Sequence, residues 1–188
     1  QDHRALVELE ALRDVMRDSM DYWLGKAYVH QKLSSYEDAL ACYHEALRLE
    51  PGSLDARYGS AFALQKIGRF PEATREYEEL LARRDGGGPL RGLILGNLSK
   101  IAYLAGDYRR AKVMCIEALN VNPDMVDAHW GLALIHRNGG NLAMAERSLL
   151  EVLKRQPKHG DAPLELAEIY LSMRRTGEAL KLLESLER

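Results

Sequence analysis

The sequence predicts an all-α chain in which one helical hairpin is used over and over, and three observations carry that reading. Alanine recurs at positions 5, 39, 73, 111, 145 and 179, spaced by 34 residues except for one interval of 38. Around each alanine, apolar and small residues return at helical spacing. The chain of 188 residues is 46% hydrophobic with only 2 Phe and 6 Pro, and is rich in Leu, Ala, Glu and Arg, which lose little rotamer freedom in a helix. Each unit of such a chain buries its apolar face against its neighbours, so function is sought on a shared surface.

Placing the alanine at position 20 of a 34-residue frame starts units at Met20, Leu54, Gly92, Val126 and Gly160. The segment 1–19 is then the second helix of a truncated preceding unit, followed by units over 20–53, 54–91, 92–125, 126–159 and 160–188. Frame position 8 reads Ala27, Ala61, Ser99, Ala133 and Ala167, small enough for the first helix of each pair to approach the second. Position 24 reads Leu9, Tyr43, Tyr77, Cys115, Leu149 and Leu183, and position 27 reads Leu12, Ala46, Leu80, Ala118, Val152 and Leu186, on one face of the second helix.

Ser34-Ser35, Gly68, Gly106-Asp107 and Gly139-Gly140-Asn141 supply turns that tolerate left-handed dihedrals. Pro51, Pro123 and Pro157 end second helices. The long interval comes from an insertion at 86–89, Gly86-Gly87-Gly88-Pro89, which reads either as a hinge or as a binding loop.

Composition narrows function further. With 26 Lys and Arg against 28 Asp and Glu, the formal charge of −2 gives no global pull toward nucleic acid or an anionic membrane. Cys42 and Cys115 fall at core-like places in different units, which predicts reduced thiols packed as small apolar groups and a cytoplasmic setting. No stretch approaches the roughly 20 apolar residues of a membrane span. A start without Met, close to the beginning of a helix, leads to the expectation of a piece of a longer protein.

The repeat resembles the tetratricopeptide repeat. Residues 20–53 meet that family's pattern best, through Trp23, Ala27, Tyr36, Ala39, Tyr43, Ala46 and Pro51. The unit over 92–125 follows with Leu95, Leu98, Gly106, Tyr108, Ala111, Ala118 and Pro123. Arg174 and Thr176, at the last turn, and Asp85, in place of proline, depart from the pattern.

The resemblance implies a right-handed α-solenoid whose concave wall is made by the first helices, with positions 2, 5, 6, 9, 12 and 13 facing a partner. Position 5 holds Leu24, Tyr58, Gly96, Trp130 and Leu164; position 9 holds Tyr28, Phe62, Lys100, Leu134 and Glu168; position 12 holds Gln31, Gln65, Tyr103, Arg137 and Leu171. Positions 5 and 9 share a helix face and form an apolar, aromatic-rich strip. That strip reads either as a binding surface or as contact with the neighbouring unit. Lys32, Lys66, Lys100 and Arg137 accompany it with positive charge, which suits a partner bearing apolar anchors and some Asp or Glu.

Glycine stands at position 6 in three units, as Gly25, Gly59 and Gly131, at a cost of roughly 0.5–1 kcal/mol each relative to alanine. Close packing between helices and close approach of a partner backbone both account for it. Asp55, Asp127 and Asp161 at position 2 are explained by helix N-termini through capping and dipole. Some family members hold a chaperone's C-terminal carboxylate with Lys and Asn at set places; here Asn97 alone fits, which disfavours that ligand.

No catalytic grouping emerges. His129 and His136 lie seven apart, without the spacing of a helical metal pair, and Gly86 to Gly88 lack the Lys-Ser/Thr of a phosphate-cradling loop. The expected function is a non-catalytic scaffold, with no cofactor or metal. It binds a protein or peptide through Leu24, Tyr28, Tyr58, Phe62, Lys66, Asn97, Lys100, Tyr103, Trp130, Leu134 and Arg137. An alternative is self-assembly through the ends, where Leu6, Leu9 and Leu12 and then Leu180, Leu183 and Leu186 lie without a polar capping helix. RNA reading by a related helical repeat is disfavoured by the aromatic strip and the net acidity.

Overall fold

A computed structural model describes residues 2–11, 13–83 and 88–186. Among them there is no strand, and the expected hairpins are present. Two short helices, α1 (Asp2–Ala11) and α2 (Arg13–Met16), precede the pairs α3 (Met20–Lys32) with α4 (Tyr36–Leu49) and α5 (Leu54–Lys66) with α6 (Phe70–Leu81). A 3-10 turn at Gly88–Leu90 leads to α7 (Arg91–Leu104) with α8 (Tyr108–Val121), α9 (Val126–Asn138) with α10 (Leu142–Arg155), and α11 (Ala162–Ser172) with α12 (Thr176–Leu186). The chain divides into two compact units, Gln1–Leu90 and Arg91–Arg188. Of the inserted glycines, Gly86 and Gly87 lie outside the described residues, as do Asp85 and the side chains of Leu12 and Leu186.

Within each unit, each pair packs on the helix that follows it, α4 on α5, α8 on α9 and α10 on α11, and α1 packs on α3. The buried residues are those of the repeat. Ala27, Ala61, Ser99, Ala133 and Ala167 are all buried at the crossing of the pairs, as are Ala39, Ala73, Ala111, Ala145 and Ala179 opposite them. Tyr43, Tyr77, Cys115 and Leu149 fill position 24, with Ala46, Leu80, Ala118 and Val152 one turn on. Each large apolar side chain taken fully out of water there contributes about 1.5–3 kcal/mol.

The local sequence explains where helices stop. α4, α8 and α10 each end two residues before Pro51, Pro123 and Pro157, because a proline restricts the residue before it and cannot continue the ladder. Every turn within a pair passes through a left-handed residue: Ser34 (φ 60°), Gly68 (φ 83°), Gly106 (φ 79°), Gly140 (φ 73°) and Arg174 (φ 60°). Asp107 and Asn141 then cap α8 and α10, accepting from the amides of Arg110 at 3.0 Å and Met144 at 3.2 Å.

The first helices are capped differently from the expectation. Ser53 caps α5, accepting from the Ala56 amide at 3.2 Å, and the His159 ring Nδ1 accepts from the Ala162 amide at 3.1 Å. Asp55 and Asp127 stand in the first turn, where their charge meets the helix dipole. Asp161 sits at the cap position of α11 without a side-chain cap bond.

Candidate functional site

In the first unit, the expected contact residues gather into aromatic and cationic pairs. Tyr28 projects from α3 at 56% exposure, and the Lys32 ammonium lies 5.1 Å from its ring centroid one turn on. On α5, Lys66 stands 5.1 Å over the Phe62 ring and 6.0 Å over Tyr36, and Tyr36 meets Phe62 edge to face at 6.4 Å. Neither lysine forms an ion pair with a carboxylate among the described residues. Cations on ring faces contribute about 0.5–1 kcal/mol each when exposed, and here they also hold the ammonium groups in place. Leu24 and Tyr58 are half-buried, and the Tyr58 ring lies 5.9 Å from buried Tyr77.

Position 12 has a role inside this unit. The Tyr43 hydroxyl donates to Gln31 Oε1 at 2.8 Å and the Tyr77 hydroxyl to Gln65 Oε1 at 3.1 Å, so a tyrosine at position 24 finds its acceptor on the first helix of its own pair. Burial pushes the Tyr43 phenol up to about 12, and it raises Tyr77 further. The family resemblance implies a partner-facing place for Gln31 and Gln65; the bond to tyrosine turns both amides inward.

In the second unit the expected residues are more engaged with one another. Asn97, Lys100 and Tyr103 lie on α7, and Trp130, Leu134 and Arg137 on α9, which packs on α7. The Trp130 ring stacks on His159 at 4.8 Å and packs against the core of α10 and α11. The Tyr103 hydroxyl accepts from Asn138 Nδ2 at 2.9 Å and its ring lies 5.3 Å from Tyr108. Arg137 forms an ion pair with Glu165, which removes it from the free positive charge. Lys100 is exposed, Leu134 and Asn97 are half-buried, and Leu164 and Leu171 of α11 present apolar surface.

The position-6 glycines separate into two kinds. A β-carbon on Gly59 would come within 2.2 Å of the Tyr43 ring, and one on Gly131 within 2.8 Å of Cys115 Sγ. In both, the position-24 side chain of one pair fills the space left by glycine on the next, so packing between helices accounts for them. At Gly25 a β-carbon would meet nothing within 4 Å among the described residues.

A cleft of about 740 Å³ in the first unit was not anticipated. Trp23, Lys26, His30, Asp38, Glu45 and Arg48 are among its lining residues. Its charges are largely matched within it: Arg48 Nε donates to Glu45 at 2.9 Å, His30 faces Asp38 at 3.7 Å, and Lys26 lies over Trp23. Cys42 and Cys115 are buried cysteines outside any disulfide; burial pushes the Cys115 thiol up although it meets Ser99 Oγ at 3.1 Å. No group of three metal-ligating side chains occurs among the described residues, and none of their helices is long and apolar enough to cross a membrane.

Helical hairpins of similar length, each buried through alanine at the crossing and exposing side chains along its first helix, define a helical-repeat protein of the interaction-scaffold class. The chain belongs to the tetratricopeptide repeat family, whose models match residues 31–93, 98–150 and 137–188. No curated protein matches it by sequence. Among solved structures it is similar to PilW, a widely conserved type IV pilus biogenesis factor, at 19% identity and a TM-score of 0.85 over 99% of this chain and 84% of that one. It is also similar to YrrB, a TPR protein with an unusual peptide-binding site, at 20% identity and a TM-score of 0.64 over 94% and 89%. A thermophilic TPR protein in Thermus thermophilus matches at 26% identity, with a TM-score of 0.71 over 90% and 91%. These likenesses are of fold.

Proposed function

We propose that this chain is a non-catalytic scaffold whose first-helix surface holds a protein segment carrying apolar anchors and carboxylates. The observation that carries the reading is the arrangement of Lys32 over Tyr28 and of Lys66 over Phe62 and Tyr36, with neither ammonium engaged by a carboxylate among the described residues. A leucine or phenylalanine of a partner would extend the aromatic contact while an adjacent Asp or Glu met the lysine. Leu24, Tyr58, Asn97, Lys100, Tyr103, Trp130 and Leu134 are assigned supporting contacts in their respective units, and Arg137 contributes through its pair with Glu165. Peptide binding in the structurally similar YrrB is in keeping with this reading. The buried thiols suit a reducing compartment, and we place the domain in the cytoplasm.

The test compares capture from native cell extract by the unaltered chain with capture by Tyr28→Ser and by Lys32→Glu/Lys66→Glu. These side chains are exposed or at the surface, so melting temperatures should stay within a few degrees. A protein retained by the unaltered chain and lost by both variants supports the first-helix site; equal retention by all three sinks it. Self-assembly is the second reading, favoured by Val7 at 71% and Leu180 at 55% exposure. It predicts concentration-dependent sedimentation that both variants leave unchanged.

A further inference from the structure

The second helices of the Arg91–Arg188 unit present a surface that the first-helix reading does not use. On α8, Ala111, Cys115 and Ala118 are buried, which turns Arg109, Lys112, Val113 and Ile116 to solvent. On α10, Ala145, Ser148, Leu149 and Val152 are buried, which turns Arg147, Leu150 and Lys154 outward. Val113, Ile116 and Leu150 are 55%, 43% and 45% exposed, and Ile116 and Leu150 hold the same frame position in consecutive pairs that both pack on α9.

Charge on this surface is unbalanced in a specific way. Each acid of α8 and α10 already has a cation: Glu117 faces Arg91 at 3.6 Å, Glu146 accepts from Arg175 at 2.7 Å, and Glu151 is held by Arg155. Arg109, Lys112, Arg147 and Lys154 have no ion pair among the described residues. Lys154 lies near Glu151 and Lys112 near His136, but neither neighbour neutralises it: Glu151 is taken by Arg155, and burial and Lys112 together favour the uncharged His136 ring. Exposed apolar side chains therefore alternate with unpaired cations over two parallel-role helices.

We infer that the α8–α10 surface is a second docking site, for an acidic amphipathic helix of another protein. Apolar residues of that helix cover Val113, Ile116 and Leu150 while its carboxylates reach Arg109, Lys112, Arg147 and Lys154. A second copy of this chain is a poorer occupant through its α4 or α6. α4 and α6 expose no large apolar residue among those described, and Glu45, Glu72 and Glu79 already pair with Arg48, Arg69 and Arg57. An anionic lipid surface fits less well because aliphatic side chains of this size bury little in a headgroup layer and no tryptophan accompanies them on α8 or α10.

The experiment uses the whole chain and three probes: a fluorescent 20-residue Glu/Leu/Ala peptide patterned as an amphipathic helix, a scramble of the same composition, and phosphatidylserine–phosphatidylcholine vesicles. The patterned peptide is expected to bind with Kd on the order of tens of micromolar, at least tenfold more tightly than the scramble. Binding falls at least tenfold in Ile116→Asp/Leu150→Asp and in Lys112→Glu/Arg147→Glu, and severalfold when salt rises from low to physiological strength. Because the proposed first-helix site would take the same peptide, binding is also read in a Tyr28→Ser/Lys32→Glu/Lys66→Glu background, where the binding that remains falls at least tenfold on adding Ile116→Asp/Leu150→Asp; this separates the two sites.

All four substituted second-helix positions are exposed, and an unchanged thermal melt confirms that loss of binding is not loss of fold. Equal binding of patterned and scrambled peptides, or no binding of either, overturns the inference, as does loss of binding only with the first-helix variants. Vesicle flotation without peptide binding assigns the surface to lipid instead. Self-association abolished by Ile116→Asp/Leu150→Asp assigns it to a second copy.

Discussion

The two units solve one packing problem with side chains of very different size. In the Gln1–Leu90 unit, the Tyr43 ring fills the space beside Gly59 and sends its hydroxyl back to Gln31. In the Arg91–Arg188 unit, Cys115 reaches toward Gly131 at the equivalent place and meets Ser99. Glycine at position 6 serves both, yet its necessity differs: at Gly59 an added carbon would overlap three atoms of a ring, whereas at Gly131 it would overlap a single sulfur that rotates about one bond. The repeat thus fixes backbone geometry and leaves the filling of the joint to each pair.

Gly59→Ala should be the sharpest way to probe that difference. Its β-carbon would enter the Tyr43 ring, so the ring must leave its site and the bond to Gln31, at a cost of about 2–3 kcal/mol. Thermal melting checks it, and Gly59→Ala/Tyr43→Ala, which vacates the ring, should recover little because a cavity replaces the clash.

Alkaline pH tests the same joint without substitution. Burial holds the folded Tyr43 phenol at about 12, above its value of 10 in an unfolded chain. A raised folded pKa means stability that is complete below pH 10 and is lost as pH climbs from 10 through 12. The native chain should therefore lose stability over that window, and Tyr43→Phe should flatten the loss, read by chemical denaturation at a series of pH values. An undiminished alkaline slope in Tyr43→Phe would contradict the assignment.

Gly131→Ala should cost about 1 kcal/mol or less, because the gain in helix propensity offsets a contact that Cys115 can relieve. Gly25→Ala is expected to stabilise by about 0.5–1 kcal/mol, since nothing described stands in the way and the glycine loses more chain entropy on folding. The sign change across these three glycines is the sharpest form of the comparison.

Much of this architecture was legible before any coordinates. The interval between alanines set the pairing, small residues at position 8 set the crossings, and Pro51, Pro123 and Pro157 set where second helices stop. The contact surface was less legible, because a frame position says which way a side chain leaves its helix and not what it meets. Arg137 counted as free positive charge until Glu165, 28 residues away, was brought beside it. Gln31 and Gln65 face a partner in the pattern the resemblance implies, but each lies twelve residues before a tyrosine that needs an acceptor. The three glycines looked equivalent for the same reason; what distinguishes them is the side chain at position 24 of the preceding pair. The α8–α10 surface is present in the period, but whether its cations are paired depends on acids that only the fold brings near or takes away, as Arg155 takes Glu151.

The five hairpin turns carry one more consequence. Three of them use glycine for the left-handed residue, and the two that do not, Ser34 and Arg174, belong to the first and last complete hairpins. A side chain held in that conformation costs about 1–2 kcal/mol, and in a repeat array such costs stay local because each hairpin feels only its neighbours. The hairpins turned at Ser34 and Arg174 are therefore the less secure ones: amides of α3 and α12 should exchange with solvent well before those of α5 or α9, and glycine at 34 and 174 would delay the first openings.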